Sequence, residues 1–353
     1  QVCLVSKGKA QARIVLAQEN DVNRKAAQLL QRFVRETSGG ELPIVANGRR
    51  SKNCVVIGES TNEATDDGYV IDCSRGTLAI KTAGGKGAIY GVVALLEKQL
   101  GVDYLTKDFY TLTPSADVRI PRMHVAESPA FRFRQTFSYS NNDSTYRDWM
   151  RLQEHREMFA ADMWVHTFDR LLPSSVYGKS HPEYYSFING ERRPGNHSQW
   201  CLTNPDIFEI VAHRIDSIFK ANPNQNMISV SQNDGNDTYC QCPECRKVNE
   251  YEGSPAGCYV RFLNRLAERF PDKQFSTLAY LFTMHPPKHV KPLPNVNVML
   301  CDIDTKREVP LTDNESGREF VKAMEGWAKI SNNIFVWDCG IDFDNMVAAF
   351  PNF

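Results

Sequence analysis

The residues best suited to chemistry lie between Met227 and Cys245, where a short apolar run opens into Ser231-Gln232-Asn233-Asp234-Gly235 and then into Cys240, Cys242 and Cys245. An acid at the end of a buried strand is where a parallel α/β barrel keeps a proton donor, because its catalytic groups sit on the loops after the strands. Asn, Asp and Gly also form turns, so a plain turn is the competing reading. The three cysteines fall within six residues, and tetrahedral zinc takes four N or S donors at such short spacings. Cys201 is the natural fourth ligand and Cys258 the reserve. A disulfide between Cys201 and one of the three fits the same residues in an oxidising compartment. Four thiolates would close the metal's shell, so a zinc here would be structural and would not activate water.

Composition narrows the function classes. The chain has 353 residues, enough for two domains, and a net charge of −1, so it has no basic field to hold nucleic acid. No apolar run reaches the length of a membrane span. Cys3, Cys54, Cys73, Cys258, Cys301 and Cys339 are scattered, mostly in apolar runs, and read as buried thiols packing as small hydrophobes. Sequons at Asn142, Asn196, Asn236 and Asn314 matter only in a eukaryotic secretory pathway. A start at Gln1 rather than Met leads to the expectation that an N-terminal segment has been removed.

Two blocks must position these residues. Residues 1–122 alternate strand and helix. Strands are predicted over 12–17 and 54–58, with a hairpin of 69–73 and 77–81 around Ser74-Arg75-Gly76. An amphipathic helix over 22–37 carries Ala26, Leu29, Leu30, Phe33 and Val34 on one face and closes at Gly39-Gly40. A second helix runs over 87–100 and stops at Gly101. Together these predict a compact α/β sandwich. Gly84-Gly85-Lys86-Gly87 lacks the spacing of a phosphate loop and reads as a turn. Residues 111–127, punctuated by Pro114 and Pro121, read as a linker. In 123–353, apolar runs at 131–136, 163–166, 200–202, 227–230, 275–282, 296–300 and 334–337 alternate with helical stretches, at a spacing suited to βα units. They predict a TIM-like (β/α)8 barrel cut short after its seventh strand. A barrel lacking one strand leaves two edges unpaired, so the expectation is a parent polypeptide continuing past Phe353.

The passage from Gly87 through Tyr90, Gly91 and Glu97 to Gly101-Val102-Asp103-Tyr104 resembles the small α/β domain that precedes the barrel in β-N-acetylhexosaminidases and α-glucuronidases. Glu127-Ser128-Pro129-Ala130-Phe131-Arg132, Trp164-Val165-His166, His181-Pro182-Glu183-Tyr184-Tyr185, Trp200-Cys201, Trp337-Asp338 and Phe350-Pro351-Asn352 resemble a narrower bacterial domain family of unassigned chemistry with the same layout. The resemblance spans essentially the whole chain. It implies a longer secreted or periplasmic protein, a carbohydrate substrate and carboxylic-acid catalysis without a required cofactor.

Glycosidic cleavage uses two carboxyl groups, one as acid and one as base or nucleophile. In the hexosaminidases an Asp-Glu pair ends the fourth strand. The corresponding pair here is Asn233-Asp234, which departs from that pattern and argues against substrate-assisted chemistry on an N-acetyl sugar. The resemblance to α-glucuronidases implies an acid after the fourth strand and further acids later, a layout in which Asp234 is the general acid with Asp302 or Asp338 as counterpart, and Asp304 lies beside Asp302. Alternatively Asp302 caps a helix or pairs with Lys306 or Arg307, and Asp338 simply ends a strand. Arg134, Trp164, His166, Asn233, Tyr280 and Trp337 are the expected substrate contacts. An inward Arg134 needs a carboxylate partner, either a protein acid or a uronic acid. Two other classes remain open: a non-catalytic carbohydrate-binding barrel, which Asn233 favours, and a metal-dependent hydrolase, which the lack of nearby His ligands disfavours.

Overall fold

A computed structural model describes residues 1–340, except Asn47, Arg49, Arg50, Asp237, Arg307 and Asn332. The closing passage Phe350-Pro351-Asn352 and Arg307 therefore lie outside the described residues. The chain divides into two compact units, Gln1–Glu154 and His155–Phe353.

The first unit is built on a six-stranded sheet in the order Met123–Glu127, Tyr69–Ser74, Thr77–Thr82, Cys54–Ser60, Arg13–Leu16, Ile44–Ala46. Two of its helices are the expected pair. Asp21–Ser38 begins where Asn20 accepts the Asn23 amide and ends at Gly39 in the left-handed region (φ 78°), burying Ala26, Leu30, Phe33 and Val34. Gly87–Leu95 continues as a π-helical turn to Leu100 and closes at Gly101. The hairpin forms as expected. Arg75 and Gly76 both take positive φ (48° and 77°), the conformation that matches a two-residue turn to the strand twist. Gly84-Gly85 is a turn around a carboxylate. A Cβ on Gly85 would sit 2.1 Å from Asp67 Oδ1, and that oxygen accepts the Lys86 amide at 2.8 Å. An acceptor already fills the place an anion would need.

The segment expected to be a linker is instead part of the sheets. Val118–Ile120 pairs with Val2–Ser6, burying Val118 and Ile120 on either side of exposed Arg119. Met123–Glu127 is the edge strand paired with Tyr69–Ser74. Pro121, which cannot donate to a ladder, falls between the two strands, where the chain changes sheets. The contacts of the first unit run on to Glu154.

The second unit carries a four-stranded parallel sheet in strictly sequential order: Met227–Ser229, Gln274–Ala279, Val296–Cys301, Ile334–Trp337. The intervening connections carry the helices Pro243–Glu252, Ala256–Arg269 and Glu315–Ala328, with Asp206–Ala221 before the first strand. The order is sequential and lacks the switch point of a doubly wound sheet. Outward-facing Ala279, Val298 and Leu300 pack on Phe320, Ala323 and Trp327, while Leu278, Tyr280, Met299 and Cys301 form a separate cluster on the opposite face. The floor of that inner face is polar, with buried Ser229, Ser276 and Asn297 side by side in register.

Three of the seven expected barrel strands do not form. Residues 131–136 lie in the first unit, with Phe131 71% exposed and no ladder. Residues 163–166 run beside Met227–Ser229, with Ser229 N–H donating to Met163 O at 2.8 Å, but positive φ at Asp162 and His166 interrupts any strand. Trp200 makes a single antiparallel bridge to Tyr185 and stacks on Phe168 at 3.8 Å, so its run is apolar because it is core.

Candidate active site

The carboxyl ends of the four parallel strands bring most of the expected residues to one edge. Tyr280 follows the Gln274–Ala279 strand, and its hydroxyl donates to Asp234 Oδ1 at 2.9 Å. Burial raises the Tyr280 pKa above its ordinary value, and the hydrogen bond to Asp234 raises it further, so the phenol stays protonated and remains a donor. Asp234 itself is exposed, with its carboxyl group reaching the rim of the inner face.

Around this pair stand three more rings. Trp337 lies 5.4 Å from Trp164, 6.2 Å from His166 and 6.5 Å from Tyr280, and His166 lies 5.8 Å from Tyr280. Trp164, His166 and Trp337 are half-buried. His166 Nδ1 lies 2.9 Å from Gln232 O. A carbonyl can only accept, so Nδ1 carries the proton and Nε2 is the acceptor of the neutral ring. His166 adopts φ 51°, a conformation that costs free energy in a non-glycine residue and is concentrated at functional sites.

The other acids are placed less alike. Asp302 is buried, its Oδ1 accepting the Cys339 amide at 3.0 Å, and its own amide donates to Trp337 O. Asp304 and Asp338 are exposed. Trp337 packs against the inner cluster, and Asp338 follows it just past the end of its strand.

Two expected substrate contacts serve the fold instead. Arg134 belongs to the first unit, where it pairs with Asp67 at 2.9 Å and donates to Phe131 O and Arg151 O. Its carboxylate partner is a protein acid, so no uronic acid is needed to explain it. Arg134→Ala is expected to cost about 3 kcal/mol of first-unit stability, the range for breaking a buried pair, with KM for any substrate unchanged. Urea unfolding alongside kinetics checks both parts. Asn233 is buried and fully engaged. Its Oδ1 accepts the Asp169 amide at 3.1 Å, its Nδ2 donates to Ser198 O at 2.8 Å, and its backbone exchanges two bonds with the Gln199 side chain.

Residues that sequence reasoning passed over complete the support. Gln232 is buried and donates to Thr283 Oγ1 at 2.7 Å, fixing the turn that follows Tyr280. His155 packs against Trp164 with a tilted ring at 4.7 Å and meets Asp162 at 2.6 Å. Nothing local to either residue announces these partners.

The four cysteines also converge. The sulfurs of Cys201, Cys240, Cys242 and Cys245 lie within 4.8 Å of one another, and all four residues are buried.

A family model described as domain of unknown function (DUF4838) matches residues 104–353. The chain belongs to that family. A second model, glycosyl hydrolase family 20 domain 2, matches residues 6–100, within the first unit. No match exists among curated proteins. Among solved structures, a family 20 β-N-acetylhexosaminidase from Streptomyces coelicolor is similar at a TM-score of 0.52 and 12% identity, over 96% of this chain and 73% of that one. A β-N-acetylhexosaminidase from Bacteroides fragilis is similar at 0.51 and 10%, over 98% and 75%. A family 115 4-O-methyl-α-glucuronidase with specificity for decorated arabinogalactans is similar at 0.50 and 10%, over 96% of this chain. The chain spans 55% of that glucuronidase's length. At these identities the likeness is one of fold: a mixed α/β architecture shared with family 20 and family 115 enzymes.

Proposed function

We propose that this DUF4838 chain contributes the site of a glycoside hydrolase, at the carboxyl edge of the second unit's parallel sheet. In this reading the four sequential strands are an arc of a (β/α)8 barrel. Asp234 is the general acid, and Asp302 is its counterpart in preference to Asp338. Trp164 and Trp337 offer faces to sugar rings, and His166 and Tyr280 meet hydroxyl groups. The observation that carries the proposal is the Asp234–Tyr280 pair, set among Trp164, His166 and Trp337 at strand ends.

Burial supports the choice of Asp302: its carboxyl group is enclosed and held by the Cys339 amide, whereas Asp338 is exposed.

A second reading is a carbohydrate-binding protein without turnover, and Asn233 favours it. Where the hexosaminidase pattern has an acid, this chain has an amide consumed by backbone hydrogen bonds.

A panel of aryl glycosides, including glucuronides and N-acetylhexosaminides, tests the proposal. Turnover of at least one by the full-length protein is the expected result. Silence across the panel, with measurable glycan binding, would establish the second reading.

A further inference from the structure

We infer that Cys201, Cys240, Cys242 and Cys245 hold one zinc ion as a closed tetrathiolate site that pins the loop carrying Asp234. The inference stands independently of the glycosidase reading. At a Zn–S distance of about 2.3 Å, the sulfurs of a regular tetrahedron are separated by about 3.8 Å. Cys201 Sγ lies 3.6 Å from Cys242 Sγ and 3.9 Å from Cys245 Sγ, and all four sulfurs fall within 4.8 Å. A disulfide brings its two sulfurs to about 2.05 Å and uses them in pairs, whereas here one sulfur is roughly equidistant from two others.

The cluster sits in the apolar core, yet polar groups reach its sulfurs. The Phe187 amide points at Cys240 Sγ at 3.3 Å, and the Arg192 guanidinium lies 3.7 Å from the same sulfur. Thr203 Oγ1 lies 3.1 Å from Cys245 Sγ. Hydrogen-bond donors around the sulfurs are the outer shell that such a metal site needs. Binding would release four S–H protons to solvent and leave a tetrathiolate zinc of net charge −2, which the Arg192 cation offsets in part. No electron is transferred.

The ligands come from separate parts of the chain. Cys201 follows buried Trp200, Cys240 and Cys242 end the loop that begins at Ser231, and Cys245 lies in the first turn of the Pro243–Glu252 helix. Zinc would fasten the far end of the polar stretch that presents Asp234, whose near end continues from the Met227–Ser229 strand. With four sulfur ligands no position is left for water, so the ion has a structural role.

The test uses the full chain purified without chelator. Elemental analysis is expected to give about one zinc per chain, released by titrating thiols with a mercurial. Cobalt in its place is expected to show thiolate-to-metal charge-transfer absorption. Cys242→Ser is expected to lose most of the zinc and to melt at lower temperature, while Cys258→Ser keeps it. Should Cys242→Ser not fold, the wild-type stoichiometry and the cobalt spectrum decide alone. A metal-free protein lighter by two hydrogens per bridge would overturn the inference in favour of disulfides. A reduced protein that takes up neither zinc nor cobalt would overturn it in favour of buried free thiols.

Discussion

Asp234→Asn is expected to lower kcat/KM on the best aryl glycoside by about 10²–10⁴-fold, the range attributed to a positioned general acid or base. The change is nearly isosteric. Asn keeps an oxygen that can accept from the Tyr280 hydroxyl, so the geometry of the pair survives while the transferable proton is lost. Asp234 is exposed, and surface substitutions of this kind stay within about 0.5 kcal/mol of wild-type stability. Steady-state kinetics and thermal melting on one preparation separate the two effects. A large loss of rate at an unchanged melting temperature is the expected pattern. Retention of most of the rate would remove Asp234 from the chemistry.

The second large effect is on stability. Asn233→Asp nominally restores an acidic pair at the end of the Met227–Ser229 strand. It is expected instead to destabilise the second unit by about 3 kcal/mol, with no gain of turnover on N-acetylhexosaminides. Asn233 Nδ2 donates to Ser198 O, and a carboxylate would set an oxygen against that carbonyl with no hydrogen between them. The position is buried, so water cannot repair the clash. Urea unfolding measures the loss through a shifted midpoint. An unchanged midpoint, or new hexosaminidase activity, would mean that Asn233 is a replaced catalytic acid and not a structural amide.

Local signals made much of the first unit readable. The closing Gly39 and the Arg75-Gly76 turn each act over a few residues, so sequence alone locates them. The same holds for the Asp234 loop and for Cys240, Cys242 and Cys245, which are close in sequence before they are close in space, while Cys201 joins them from an earlier loop. Legibility failed where a partner is remote. The alternation in Phe131-Arg132-Phe133-Arg134 looks like a strand, yet Arg134 is claimed by Asp67, 67 residues earlier. Trp200 reads as strand because it is apolar, but its burial comes from stacking on Phe168 and meeting Phe262 edge-on. The prolines near 121 suggested a linker, whereas Val118 and Ile120 were already alternating with Arg119 in strand fashion. Asn233 drew attention as Asp234's neighbour, and only Ser198 and Gln199 reveal what it is for. The site's aromatic wall was legible residue by residue, though not its closeness: Trp164 and Trp337 meet at 5.4 Å only because residues 163–167 bond to the Met227 strand without joining its ladder.

The most direct test of Asp234 as the proton donor is the leaving-group dependence of the Asp234→Asn defect. Wild type and variant would be compared on aryl glycosides of one sugar whose phenols span good to poor leaving groups. A general acid matters most where the departing oxygen most needs a proton, so the account predicts a defect that grows steeply as the leaving group worsens and nearly vanishes for the most activated phenol. A uniform defect across the series would contradict it, and would reassign Asp234 to holding the sugar.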